Sequence, residues 1–124
     1  MYFPRQVYAI YPYNEQGEVA GVYIGSSQNV RERFGNHLSS KHTQDELHRL
    51  MNEFGYTFQV LDTEHNYDET QLEYDWIDFF IKSKAKVFNK YTRDGNQENV
   101  QTKFIKPFWN GKGVVWKMKP KGMD

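Results

Sequence analysis

The chain has 124 residues, with 16 Lys and Arg against 16 Asp and Glu. That length suits one compact domain with one core, and the neutral balance speaks against a non-specific nucleic-acid coat protein. Cysteine is absent, which excludes a disulfide scaffold and any cysteine-ligated zinc or iron–sulfur site. The start, Met1 to Arg5, carries no apolar leader, and no stretch approaches membrane-spanning length. A soluble cytoplasmic protein with no membrane partner is therefore expected.

In chain order, Gln6 to Tyr13 alternates as a strand, with Val7, Ala9 and Tyr11 on one face and Tyr8, Ile10 and Pro12 on the other. Asn14 to Gly17 is a turn, and Val19 to Gly25 is the return strand of a hairpin. Gly25-Ser26-Ser27 then reads as a glycine turn that opens a helix from about Gln28 to Leu38. Thr43 and Glu46 have the spacing of a capping box for a second helix to about Phe54, closed by Gly55. Tyr56 to Leu61 is β-prone and forms the third strand. A polar loop leads to Asp68 or Thr70, which caps a third helix to about Lys82, and Lys84 to Lys90 returns toward the sheet. Two aromatic, β-prone pieces follow, Phe104 to Trp109 and Val114 to Met118, with a turn at Asn110 to Gly113. The expected fold is α/β: a small, antiparallel-rich, three-stranded sheet flanked by helices, over residues 1–100, with a C-terminal β-prone extension over 101–124.

The first helix carries Arg33 and His37 four residues apart, hence on one face, beside an apolar stripe of Val30, Phe34 and Leu38. A phosphate can be met there by the N–H groups of Gly25, Ser26 and Ser27, by a fork-shaped guanidinium and by an imidazole. Glu73 lies in line with Trp76, Ile77 and Phe80 on the third helix, at the edge of a core. Such a carboxylate requires a basic partner, a backbone donor or a divalent cation, and Mg²⁺ with one carboxylate, waters and phosphate oxygens fits. Tyr8 and Tyr23 fall on neighbouring strands, where a phenol can pack in the core or serve as a base in cationic surroundings. His37, His42, His48 and His65 lack acidic or cysteine partners at metal spacing, which speaks against structural zinc. His42 and its rival Lys41 sit in a loop from which either can reach a phosphate or leaving group.

These residues together resemble the GIY-YIG nuclease family. Tyr23-Ile24-Gly25 is the second half of the name, while Gln6-Val7-Tyr8 stands at the first half and keeps only its tyrosine. Arg33 and His37 after the glycine are similar to the family's first helix, Leu72 to Ile77 to its acidic helix, and Asn89 to its late asparagine. The resemblance spans roughly residues 6–90. It implies an endonuclease that uses Mg²⁺ or Mn²⁺ and leaves a 5′-phosphate and a 3′-hydroxyl. Glu73 would hold the metal, Arg33 the scissile phosphate, and Tyr8 would help deprotonate water with Tyr23 in the same cluster. His37, with His42 or Lys41, would assist at the phosphate or leaving oxygen, and Asn89 would complete the catalytic set.

The expected partner is DNA, whether single-stranded, duplex or branched. Lys103, Lys106, Lys112 and Lys117 lie in an acid-free stretch from Thr102 to Gly122. That extension is either a DNA-contacting arm or an edge hairpin on the sheet. One site per chain nicks, so cutting both strands requires a homodimer or two successive events. The alternative to an enzyme is a catalytically silent module on the same fold that binds nucleic acid or a protein partner.

Overall fold

A computed structural model describes residues 5–29, 32, 46–63, 69–89 and 115–118. Four strands and two long helices make up the described part. They are β1 (Gln6–Pro12), β2 (Tyr23–Ser27), α1 (Glu46–Phe54), β3 (Tyr56–Thr63), α2 (Glu69–Lys82) and β4 (Val115–Met118). The strands form one sheet in the order β2-β1-β3-β4, with every neighbouring pair antiparallel. Three of them are the expected sheet, and the second β-prone piece of the extension adds the fourth.

β1 is central and almost wholly buried because both faces of the sheet are covered. Val7, Ala9 and Tyr11 join Ile24, Leu61, Ile77, Phe80 and Val87 on the α2 side. Tyr8 and Ile10 join Leu47, Met51, Tyr56 and Phe58 on the α1 side. The alternation read from the sequence thus sorts β1 as expected, with apolar residues facing both ways. Leu47, Leu50 and Met51 give α1 its buried stripe, and Gly55 ends it in the left-handed region (φ 87°) with its N–H on Met51 O at 3.1 Å.

Three departures from the expected elements have local causes. The hairpin turn is present, with Asn14 Oδ1 accepting the N–H groups of Gln16 and Glu18 and Gly17 at φ 79°. Its return strand, however, is reduced to a bridge of Val19 to Tyr13 and the Ala20 N–H on Pro12 O at 2.8 Å before β2 begins at Tyr23. Between them Val22 turns its backbone to another segment: its N–H donates to Lys86 O, and its carbonyl accepts from Phe88, both at 2.8 Å. Gly21 permits this approach, since a Cβ there would lie 2.6 Å from the Phe88 ring. Second, β2 continues through Gly25, Ser26 and Ser27, paired to Tyr8, Val7 and Gln6. The expected glycine turn is a strand end. Third, β3 runs on to Thr63 through an irregularity, where Tyr8 pairs with Val60 but Val7 with Asp62. Leu61 is the extra residue of a β-bulge.

α2 closes with Ala85 N–H on Phe80 O, Lys84 N–H on Ile81 O and Lys84 at φ 66°, a Schellman ending that holds a lysine where glycine is the common choice. The described part of the expected return, Lys84 to Asn89, meets the sheet through the parallel bridge of Val87 to Val22.

Tyr56 opens β3 inside the α1-side core, and burial raises its phenol pKa above the ordinary value. Below the ordinary tyrosine pKa this costs nothing. Above about pH 10 the unfolded chain loses that proton more readily than the folded one, so folding weakens. Denaturant titrations from pH 8 to 11 are therefore expected to show an alkaline loss of stability that is smaller in Tyr56→Phe.

Candidate active site

The end of β2 organises the candidate site. Tyr8 stands directly across from Gly25, with its ring stacked on Phe58 at 5.4 Å between centroids. A Cβ on Gly25 would lie 2.4 Å from both the Tyr8 hydroxyl and its ring carbon Cζ. The glycine therefore serves the close approach of a phenol to a strand backbone rather than a change of chain direction. Tyr8 is 1% exposed. Tyr23 packs against the same cluster while staying half-buried, so the two tyrosines share a face of the sheet as the hairpin reading expects.

Ser26 follows Gly25 and, by strand alternation, points to the other face. Its hydroxyl donates to Glu73 Oε2 at 3.3 Å. Glu73 is half-buried on the turn of α2 that precedes Trp76, Ile77 and Phe80. Ile77 and Phe80 are core residues and Trp76 packs against them, which is the edge-of-core position that the helical spacing predicts. The tyrosine pair and the carboxylate accordingly flank the same strand end from opposite faces. β2 lies at the edge of the sheet order.

The carboxylate suits a hard cation. It is an ionisable oxygen donor that accepts the Ser26 hydroxyl, and a carboxylate is a ligand type that Mg²⁺ and Mn²⁺ take. Among the described residues no three His, Cys, Asp or Glu side chains converge. Glu73 as a hard oxygen donor fits Mg²⁺ or Mn²⁺, whose remaining positions water and phosphate oxygens can fill.

The backbone donors expected to cradle a phosphate are placed differently from that expectation. In the antiparallel ladder the residues alternate between partner-facing and outward-facing. Ile24 faces outward, because its N–H donates to Asn89 Oδ1 at 2.9 Å and its carbonyl accepts from Asn89 Nδ2 at 2.7 Å. Gly25 and Ser27 consequently turn their N–H groups to β1, and only Ser26 shares the outward direction. Ser27 instead uses its hydroxyl, which accepts the Asn29 N–H at 3.0 Å. Asn29 and Glu32 form a reciprocal pair at the spacing of a capping box: Asn29 Oδ1 accepts the Glu32 N–H at 3.1 Å, and its Nδ2 donates to Glu32 Oε2 at 3.2 Å.

Asn89 thus acts as a surrogate strand on the outer edge of β2. Asn89→Ala removes two partly buried hydrogen bonds, with an expected loss of about 2 kcal/mol in a chemical-denaturation measurement. Arg33, His37, Lys41 and His42 lie outside the described residues, as do Lys103, Lys106, Lys112, the expected cap Thr43 and the piece Phe104 to Trp109. Lys117 is placed through the backbone of β4.

Two residues near the site gave no signal in the sequence. Arg5 donates from Nη1 to the Ser26 carbonyl at 3.4 Å, and Asp62 accepts from Trp76 Nε1 at 3.4 Å. Gln6, where the resemblance calls for glycine, pairs with Ser27 and extends its amide toward Thr63 Oγ1 at 3.5 Å. The sheet end accommodates that departure.

A family model, the GIY-YIG catalytic domain, matches residues 5–92. The chain belongs to the GIY-YIG family. The match covers more than half of the sequence and spans the candidate catalytic residues from Tyr8 to Asn89, while the lysines from Lys103 onward lie beyond it. No significant match to a curated protein or to a solved structure was found. The GIY-YIG assignment makes the chain a member of a nuclease family, an endonuclease-type hydrolase in general terms.

Proposed function

We propose that this GIY-YIG chain is a divalent-cation-dependent endonuclease that hydrolyses DNA phosphodiesters. The observation that carries the reading is the Ser26–Glu73 hydrogen bond, which holds a half-buried carboxylate beside the strand end where Tyr8 lies across Gly25. Glu73 would hold Mg²⁺ or Mn²⁺. When bound, such an ion offsets charge on the phosphate and lowers the pKa of a coordinated water.

The remaining work falls to the chain. Arg33 would grip two oxygens of the scissile phosphate with its planar fork and offset the charge gained in the transition state. Tyr8 would help deprotonate the attacking water, with Tyr23 hydrogen-bonding in the same cluster. His37, with His42 or Lys41, would donate to the leaving oxygen. Asn89 holds β2 in place and keeps Gly25 under the phenol.

Lysines of the extension would supply affinity by neutralising phosphates. β4 is part of the sheet, so truncation would remove a strand along with the charges. Changing Lys103, Lys106 and Lys112 to glutamine is the cleaner test. DNA binding is expected to weaken, with its salt slope falling by about 0.9 for each phosphate that is no longer neutralised. An unchanged slope would assign these lysines to the solvated surface.

The deciding experiment is cleavage of labelled single-stranded, duplex and branched DNA with Mg²⁺ or with EDTA, comparing wild type with Glu73→Ala and Arg33→Ala. Cation-dependent cutting that both folded variants abolish supports the reading. Tight binding with no cutting of any substrate would identify a silent module instead.

A further inference from the structure

Ser26, Val7 and Asp62 form one rank across the sheet, since Val7 pairs with Ser26 of β2 on one side and with Asp62 of β3 on the other. Both flanking residues bond to α2. Ser26 Oγ donates to Glu73 Oε2 at 3.3 Å, and Asp62 Oδ2 accepts from Trp76 Nε1 at 3.4 Å. Glu73 and Trp76 are three apart and so are neighbours on one side of the helix.

Asp62 reaches that helix because of the bulge. In a regular strand Leu61 and Asp62 would face opposite ways. Leu61 is buried in the α2-side core, and Asp62 nonetheless meets α2 as well. The extra residue between the Val60 and Asp62 pairings restores Asp62 to the Val7 face. Its other oxygen, Oδ1, accepts the Thr63 N–H at 2.9 Å and steadies the carboxylate. The Trp76 ring is in turn packed against Phe79 and Phe80.

We infer that Asp62 is a positioning residue for Glu73: with Ser26 it pins α2 at two points, one on each side of β1, and so fixes the rotation at which the helix presents the carboxylate. The inference rests on the cation-holding part proposed for Glu73. Outer partners that orient a ligand commonly change cation affinity by about 10–100-fold when removed. Asparagine at this position keeps a carbonyl oxygen that can accept from Trp76, whereas alanine keeps nothing.

The test compares the full chain as wild type, Asp62→Asn and Asp62→Ala, with Mn²⁺ as the probe ion. Mn²⁺ affinity is measured by direct titration, with Glu73→Gln as the control for binding at this carboxylate. The indole N–H resonance of Trp76 and the side-chain carboxyl ¹³C resonance of Glu73 are followed in cation-free protein.

Asp62→Ala is expected to displace both resonances and to weaken Mn²⁺ binding about tenfold, with Asp62→Asn close to wild type in all three. Unmoved resonances in Asp62→Ala would overturn the inference. So would Asp62→Asn failing as badly as Asp62→Ala, since the charge would then matter rather than the bond. A wild type that binds no Mn²⁺ and cuts nothing would overturn the proposed function, and the Glu73 resonance would decide the positioning by itself.

Discussion

Glu73→Ala is expected to lower DNA cleavage by at least about 10²–10³-fold at saturating Mg²⁺, the scale of removing one charge-stabilising element from a phosphoryl or acyl transfer site. The Ser26 hydrogen bond lost with the carboxylate is worth about 1 kcal/mol, and the melting temperature measured beside activity shows that the variant is folded. Glu73→Gln sharpens the result. Its amide oxygen can still accept from Ser26, while the charge that attracts a cation is gone. Equal inactivity of the two variants places the effect on the charge. Residual cleavage in Glu73→Gln close to wild type would remove the carboxylate from the chemistry and with it the cation-dependent mechanism. EDTA applied to wild type should reproduce the variant's loss, and added Mn²⁺ should reverse it in wild type alone.

The second large effect concerns stability. Gly25→Ala places a methyl group 2.4 Å from the Tyr8 ring and hydroxyl, and Tyr8 is held between that strand and Phe58. The ring has no room to retreat without opening the α1-side core, so overpacking of about 3 kcal/mol is expected, or roughly 10 °C in Tm. Tyr8→Ala provides the control by removing the group that the methyl would strike. In that background Gly25→Ala should cost under about 0.5 kcal/mol, a strong departure from additivity. A Gly25→Ala protein that melts with wild type would show that the phenol does not lie across the strand.

Gly25 also illustrates why part of the site is illegible in the sequence. A glycine followed by two serines is ordinary turn chemistry, and nothing local distinguishes it from a glycine that makes way for a ring on the adjacent strand. The distinction depends on the register Tyr8 to Gly25, which is a long-range property. β1, the Asn14 turn, α1 with its Gly55 ending and α2 were legible because each is written in short-range periodicity and punctuation. The late start of β2 was not, since it follows from Val22 bonding to residues 86–88. Asp62 was hidden for a related reason. Period-two alternation assigns it to the wrong face unless the bulge at Leu61 is known. Of the candidate site, the residue types at Tyr8, Tyr23 and Glu73 could be read directly. Their division between the two faces of one strand end could not, and neither could the commitment of Asn89 to the backbone of Ile24.

The fourth strand has a consequence for how the molecule is made. The family match ends at residue 92, and the strand that borders β3 arrives only at Val115–Met118. During synthesis the earlier part of the chain emerges first, leaving the β4-facing N–H and C=O groups of the stretch Tyr56 to Gln59 without partners until Val115–Met118 has been made. An open edge of that kind is a template for a strand from a second, equally unfinished molecule. Nascent chains halted before Val115 should therefore be the form most prone to co-aggregate, and the backbone pairing that β4 brings is what ends that exposure.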